Sequence, residues 1–346
     1  MFSVKLRKGV LRDAVRMAPL FRTISLLLLT CGLLACVAPI VTRSIATLDI
    51  PESRISAAVL YGDSKNGTHL FVGQGSKKTA LLLNSKDHII GTVAAPDGIF
   101  ATDSDGTLYD VPWFENPYTN LLLILAPPYQ EARTINFRRY DTLSVAIDQG
   151  RGVFAVTTTY GGNGGGASYA YFFRRGASIP CATVKQPSGM STFSLGAAFD
   201  KEGRLFVRGF VGSGGGGFAM ITGECEATRA QLETIPEDIF PEADMQFNIN
   251  DDLVIGDAYT GHVLTYAHPH NGQFGNPIRT TILSAPPPQG DIPYFRCFVG
   301  TGSLIWVNYS QSNEFSEYRY PEGGNPIKTL KISDVGACAT NPPFIP

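Results

Sequence analysis

The feature that most constrains what this chain can fold into is a short unit that recurs along it, a polar turn followed by an apolar strand. The strand copies read Leu70-Phe71-Val72-Gly73, Leu108-Tyr109-Asp110-Val111, Val153-Phe154-Ala155-Val156, Leu205-Phe206-Val207-Arg208, Leu253-Val254-Ile255-Gly256 and Leu304-Ile305-Trp306-Val307. The turns before them are Asn66-Gly67, Asp105-Gly106, Arg151-Gly152, Glu202-Gly203, Asp251-Asp252 and Thr301-Gly302. Before several of these turns a strand ends on Asp103, Asp148, Asp200 or Asn250, which fall in one column. The copies are spaced by roughly 40–50 residues, the period of a four-stranded propeller blade. Six copies predict an all-β, six-bladed β-propeller of four-stranded antiparallel blades. A blade cannot bury both faces of its sheet alone, and closing blades into a ring removes the unprotected ends. The competing architecture is a pair of β-sandwiches, but sandwich strands have no reason to repeat one turn-and-strand column six times.

The clearest copy is Asp244–Tyr266. Met245–Asn250 alternates with a two-residue period, Asn250-Asp251-Asp252 supplies residues that tolerate positive φ, and Leu253–Gly256 and His262–Tyr266 follow as strands. The same reading places strands at Ala57–Tyr61 and Leu70–Gly73 in the first unit and an inner strand at Gly98–Asp103 in the second. Leu143–Asp148 opens the third unit and Leu195–Asp200 the fourth; the sixth runs from Phe295 to Lys331. Trp113–Pro128 reads as a long, aromatic loop. The glycine runs Gly161–Gly166 and Gly212–Gly217 fall at matching positions in adjacent units. No Lys-Ser/Thr ending or helix follows them, so they read as flexible hairpin tips between second and third strands rather than phosphate cradles. His268 and His270 flank Pro269 before Asn271-Gly272, which marks a solvated turn rather than a metal site. Ring closure falls either to Ile45–Ile50 or to the tail after Lys328.

The N-terminus differs in kind. Lys5, Arg7, Lys8, Arg12, Arg16 and Arg22 precede an apolar run, Ile24–Val41, whose densest part ends Leu33-Leu34-Ala35-Cys36. That order is a lipoprotein-type signal with Cys36 as the lipidated residue; an uncleaved anchor helix and plain secretion are the alternatives. Residues 1–36 are thus the signal or anchor segment, 37–54 a tether and 55–340 the propeller. Met17 is an alternative start. Every version puts the remainder outside the cytoplasm, membrane-bound at the cell surface or in the periplasm, or secreted. In such a compartment Cys181, Cys225, Cys297 and Cys338 are disulfide candidates. Cys181 and Cys225 occupy corresponding places in adjacent units, and Cys297 could pin a proline-rich tail at Cys338, so the expected pairing is Cys181–Cys225 with Cys297–Cys338. Four buried free thiols are the alternative. The net charge of −2 gives no reason to expect a nucleic-acid partner.

At Phe199-Asp200-Lys201-Glu202-Gly203-Arg204-Leu205-Phe206-Val207, at Asn250–Tyr266, and at Pro96-Asp97-Gly98-Ile99 with Asp105-Gly106 and Leu108-Tyr109, the chain resembles the NHL and gluconolactonase-like six-bladed propellers. The resemblance spans most of residues 55–333 and is a blade-level pattern. It implies the fold and, for lactonase members, a divalent cation, usually calcium, in the central channel. The positions here that match are Asp97, Asp141 and Asp244, with Gln246 beside them. Such a cation would polarise a lactone carbonyl and activate water. The family's opening Glu has no counterpart in Ala57–Tyr61, and its paired Asn ligands have none either. The sequence therefore reads first as a non-catalytic binding module without a cofactor, whose ligand is a protein, a glycan or a small molecule. A calcium-dependent lactonase-like hydrolase is the alternative, and a structural or assembly lipoprotein the second alternative.

Overall fold

In the computed structural model, the described residues run from 69 to 341, apart from connecting segments that include 96–97, 113–119, 161–165, 213–214, 234–243, 258–259, 270–272, 285–294, 310–312 and 333–334. They form six antiparallel sheets of four strands each. From inner to outer strand, blade 2 is Gly98–Thr102, Leu108–Pro112, Leu121–Leu125 and Ala132–Asn136. Blade 3 is Tyr140–Asp148, Val153–Tyr160, Ser168–Arg174 and Ala182–Lys185, and blade 4 is Met190–Phe199, Leu205–Val211, Gly215–Ile221 and Ala230–Glu233. Blade 5 is Met245–Phe247, Leu253–Asp257, His262–Tyr266 and Arg279–Thr281, and blade 6 is Phe295–Thr301, Leu304–Tyr309, Glu314–Arg319 and Lys328–Lys331.

Blade 1 is composite. Its inner strand is Val335–Asn341 from the C-terminal end of the chain, paired with His69–Gln74 and followed outward by Thr79–Leu83 and Ile89–Ala94. Each inner strand packs beside the next, and the blade 6 inner strand packs beside Val335–Asn341, so the six form a closed ring. Of the two closures open to the sequence, the tail is the one used. This corrects one expectation: Cys338 lies on the innermost strand of blade 1 rather than in a proline-rich tail. Ala57–Tyr61, expected as a strand of the first unit, lies outside the described residues.

The core is divided among the blade interfaces, with one apolar cluster at each of the six. Phe71, Leu82, Phe100 and Leu108 fill the gap between blades 1 and 2, and Phe137, Phe154, Tyr171 and Phe173 that between 2 and 3. Leu205 and Val207 face blade 3, whereas Phe206, between them, faces blade 5 with Met245 and Ile255. That explains the recurrent strand. A second strand is covered on both sides, so it reads as continuous apolar sequence instead of alternating with polar residues.

Three local expectations shift. Leu121–Leu125 is a buried third strand inside the stretch expected to be a loop, while residues 113–119 lie outside the described set. Gly215–Gly217 begin a strand, so the second glycine run narrows to a tight connection rather than a long tip. A side chain on Gly217 would strike Val211, which accounts for a glycine there. The blade 5 inner strand stops at Phe247, and Asn248 takes the column position expected of Asn250. Asp251 has φ 66°, the positive value its turn requires.

Candidate functional site

Antiparallel strands alternate direction, so a blade's connections sort onto two faces of the ring. Inner-to-second turns and third-to-outer connections share one face, here the lower. Second-to-third hairpins and the passages between blades share the upper.

The lower face is built from the aspartate column. Asp103 Oδ1 accepts the Thr107 amide at 3.0 Å, Asp148 Oδ1 the Arg151 amide at 3.0 Å, and Asp200 Oδ1 the Arg204 amide at 2.8 Å. Asn248 Oδ1 accepts the Asp252 amide at 2.9 Å in the same way. These short side chains hold their own turns closed. The aspartates also reach the next blade. Asp103 Oδ2 lies 3.5 Å from Arg175 Nε on the third-to-outer connection of blade 3. Arg151, on the turn after Asp148, pairs with Asp148 at 2.8 Å and lies 3.6 Å from Glu224 on the corresponding connection of blade 4. Asp200 Oδ2 lies 3.2 Å from His268 Nε2 on that of blade 5. Side links between consecutive turns complete a belt over blades 2 to 5. Gln149 donates to the Thr102 carbonyl and accepts from the Ser104 amide, Arg151 donates to the Lys201 carbonyl, and the Lys201 amide donates to Asp251.

Burial and crowding shift the charges. Burial, then the hydrogen bond with Asp105, pushes Asp103 up to about 6, and Asp105 is lowered by the same bond. Burial, then the hydrogen bond and charge of Asp148, pushes Glu224 up to about 7. Each of the two raised carboxyls stands beside a second carboxylate and one arginine. Next to Glu224, Cys225 is joined to Cys181 by a disulfide with Cα atoms 4.9 Å apart, stapling blade 4 to blade 3. This is the first of the two expected pairings. Cys297 and Cys338 lie on the neighbouring inner strands of blades 6 and 1; their side chains lie outside the described set, as does Cys36.

The densest cluster lies at the junction of blades 4 and 5. Asp200, Glu202, Asp251 and His268 each turn one donor atom to within 4.8 Å of the others. His268 is therefore not the solvated residue the sequence suggested; its side chain is 13% exposed. Three carboxylates and an imidazole suit a divalent cation by donor type. The position is already crossed by Arg204, whose guanidinium donates to Asp200 at 2.5 Å and to Glu202 at 2.9 Å and also contacts the His268 ring. A resident cation of the protein's own thus balances the carboxylates.

Of the residues matched to the lactonase pattern, Asp141 and Asp244 occupy the opposite face. Asp97 lies outside the described residues. Asp141 lies near the start of the blade 3 inner strand, and Asp244 just before that of blade 5, with blade 4 between them. The Asp244 carbonyl accepts from the Gly256 amide at 3.2 Å, and Gln246 accepts from the Gly300 amide of blade 6 at 3.1 Å, linking adjacent inner strands. Neither aspartate belongs to the one metal-competent group among the described residues.

Sequence reasoning missed a second feature of this upper face, a patch of tyrosines. Tyr140 on the blade 3 inner strand pairs with Tyr160 on the second, with ring centroids 5.6 Å apart. Tyr169 on the third strand lies 5.3 Å from Tyr140, both contacts being edge-to-face. Burial, then the charge and hydrogen bond of Tyr169, raises Tyr140. Tyr160 remains 47% exposed. The two-residue strand period was the available signal, since Tyr169 and Tyr171 share a face.

No family profile matches the chain, and no curated protein does. Solved structures do. A protein of unknown function from Bacteroides caccae superposes with a TM-score of 0.56 at 12% identity, covering 80% of this chain and 99% of the other. A nidogen/laminin complex gives 0.57 at 14%, covering 80% and 98%. A candidate 6-phosphogluconolactonase from Bacteroides uniformis gives 0.52 at 14%, covering 79% and 99%. At these identities the likeness is one of fold.

Proposed function

We propose that this protein is a non-catalytic, extracytoplasmic binding module, held to the membrane through Cys36 and presenting the upper face of its ring to a ligand. The observation that carries the reading is the contrast in how titratable groups are used. On the lower face they are spent on one another: turn amides, neighbouring blades and Arg204 occupy the one carboxylate cluster among the described residues whose donors could hold a divalent cation. The upper face keeps half-exposed aromatic and basic side chains on a rigid strand framework, the arrangement that suits recognition. The Cys181–Cys225 disulfide fits an oxidising compartment, in keeping with that location. Among the described residues no helix is long and apolar enough to cross a membrane. In this reading residues 1–36 are the signal and 37–54 the tether.

The test is hydrolysis of lactones by the oxidised full-length protein with Ca²⁺ and with EDTA. No turnover above buffer in either condition is the expected result. EDTA-sensitive turnover that disappears in Asp97→Ala, Asp141→Ala or Asp244→Ala would overturn the binding reading in favour of a calcium-dependent lactonase.

A further inference from the structure

We infer that the ligand recognised on the upper face is an acidic glycan of the uronate type, bound across the tyrosine patch of blade 3. This rests on the binding-module reading and gives it a ligand class. Tyr140 and Tyr160 are direct cross-strand partners, and Tyr169 pairs with Thr158 on one side and Lys185 on the other. Cross-strand partners point to the same face of a sheet. Thr158 and Tyr160 lie two residues apart on one strand, so Tyr140, Tyr160, Tyr169 and Lys185 share one face of the sheet, with the Tyr140 ring touching both other rings. The patch crosses four strands at about 4.8 Å spacing, roughly 14 Å, the span of a short oligosaccharide. Tyr160 and Lys185 are exposed, and Tyr140 and Tyr169 are half-buried.

The ring chemistry suits a sugar. A tyrosine offers an apolar face on which pyranose C–H groups stack and a hydroxyl that hydrogen-bonds at its rim. The rings are fixed by the edge-to-face contacts of Tyr140 with Tyr160 and Tyr169 and by the buried aromatic ladder beneath, since Tyr171 lies next to Tyr169 and Phe137 next to Tyr171. Little conformational entropy is then lost on binding. Gly166 closes against the Tyr160 side chain where an added Cβ would come within 2.5 Å, which fixes that ring's base.

The charge comes from the passage into blade 3. Arg138 and Arg139 are both exposed and immediately precede Tyr140, and the Arg139 charge reaches the Tyr140 hydroxyl. Their turn is preorganised: Asn136 accepts the Arg138 amide at 2.6 Å, Asn120 donates to the Arg138 carbonyl at 2.7 Å, and Arg138 holds φ 59°. Arg139 at the inner end and Lys185 at the outer end bracket the tyrosines with positive charge on a chain whose net charge is −2. A carboxylated sugar polymer satisfies both the ring faces and the cations; a neutral glycan leaves the cations unused.

The experiment is titration calorimetry on the oxidised full-length protein with oligogalacturonate, alginate oligomers and hyaluronan fragments, beside methyl-esterified oligogalacturonate as the uncharged counterpart. Binding of at least one acidic probe, weakened by salt, is expected. Tyr160→Ala should weaken it about tenfold, the loss of one aromatic anchor, while Tyr160→Phe should retain most of it. Arg139→Ala with Lys185→Ala should remove the preference over the esterified probe. Ile278→Ala, an exposed change on blade 5, serves as the control, and thermal melts verify that every variant is folded. Absence of binding to all three acidic probes, or binding that survives in folded Tyr160→Ala, overturns the glycan assignment alone. Hydrolysis of a bound probe would instead overturn the non-catalytic reading.

Discussion

The two faces of the ring use polar side chains in opposite ways. On the lower face, Asp103, Asp148 and Asp200 each close a turn and also meet or stand beside a titratable side chain on the following blade, Arg175, Glu224 and His268 respectively. On the upper face, Tyr140, Tyr160 and Tyr169 lean on one another and on the core below, and their outer surface is left to solvent. The aspartate column joins blades through titratable side chains; the tyrosine patch rests on blades already joined. A ring of separate sheets needs such joints, because each interface is otherwise held by apolar packing that has no direction of its own.

The largest expected effect from breaking this contrast is loss of the staple between blades 3 and 4. Cys181→Ser with Cys225→Ser opens a loop with a sequence separation of 44 residues. Loop-closure entropy puts the loss at about 2–4 kcal/mol. Denaturant unfolding should show it as a lower midpoint, and reduction of the native protein should reproduce it. An unchanged midpoint would mean that the apolar cluster and the lower-face ion pairs hold these blades together without the staple.

Next in size is Asp200→Ala, which removes the turn acceptor and leaves Arg204 and His268 without their most buried carboxylate. We expect a loss of about 2–3 kcal/mol, in the range for breaking a buried hydrogen-bonded charge pair. Asp200→Asn should cost roughly half as much, because an amide can still accept the Arg204 amide, as Asn248 does for Asp252 in the next blade. Equal losses from the two variants would show that the ion pairing, and not the turn, carries the stability.

A smaller, pH-dependent effect follows from the two raised carboxyls, Asp103 and Glu224. Asp103 at about 6 and Glu224 at about 7 both lie above their ordinary values of 3.8 and 4.5. Between those limits the folded state binds more protons than the unfolded one. Stability from these groups is therefore fully present below about pH 4 and is lost as pH rises through 6 and 7. Allowing for coupling within each pair, the fall from pH 5 to pH 8 should be about 1–2 kcal/mol, a melting shift of a few degrees. Glu224→Gln and Asp103→Asn should flatten the profile. A profile that rises over the same interval would contradict the upward shift of these two groups.

The fold was legible because its cause is local. Leu205-Phe206-Val207 feeds two interfaces at once, and that demand writes itself into every second strand as contiguous apolar residues. The aspartate column was legible too, since a turn needs its acceptor at a fixed offset, although blade 5 was misread by two residues because Ile249 and Asn250 continue an alternation the strand does not follow. The partners of that column were not legible. Arg175, Glu224 and His268 arise on third-to-outer connections of the next blade, where no local rule fixes residue type. His268 looked solvated because Pro269 follows it, yet the neighbouring blade buries it. Ring closure was ambiguous for a similar reason: pairing of Val335–Asn341 with His69–Gln74 is the longest-range contact in the ring, and neither strand's sequence names its partner.

The smallest expected effect sharpens the comparison most. If the upper face is only carried by the joined blades, then Tyr160→Ala should change stability little. Its ring is 47% exposed and contacts Tyr140 at one edge. Losing that contact and a half-buried ring area should cost roughly 1 kcal/mol or less, well under the cost of Asp200→Ala. Arg139→Ala should fall within about 0.5 kcal/mol, as for other exposed substitutions. Both variants should unfold with the denaturant slope of the parent, measured alongside Asp200→Ala in one series. Should Tyr160→Ala instead approach Asp200→Ala in cost, the tyrosine patch would be a second joint between blades 2 and 3, and the division of labour between the faces would fail. Retained stability with altered ligand binding in the same variant is the combination that assigns one face to cohesion and the other to recognition.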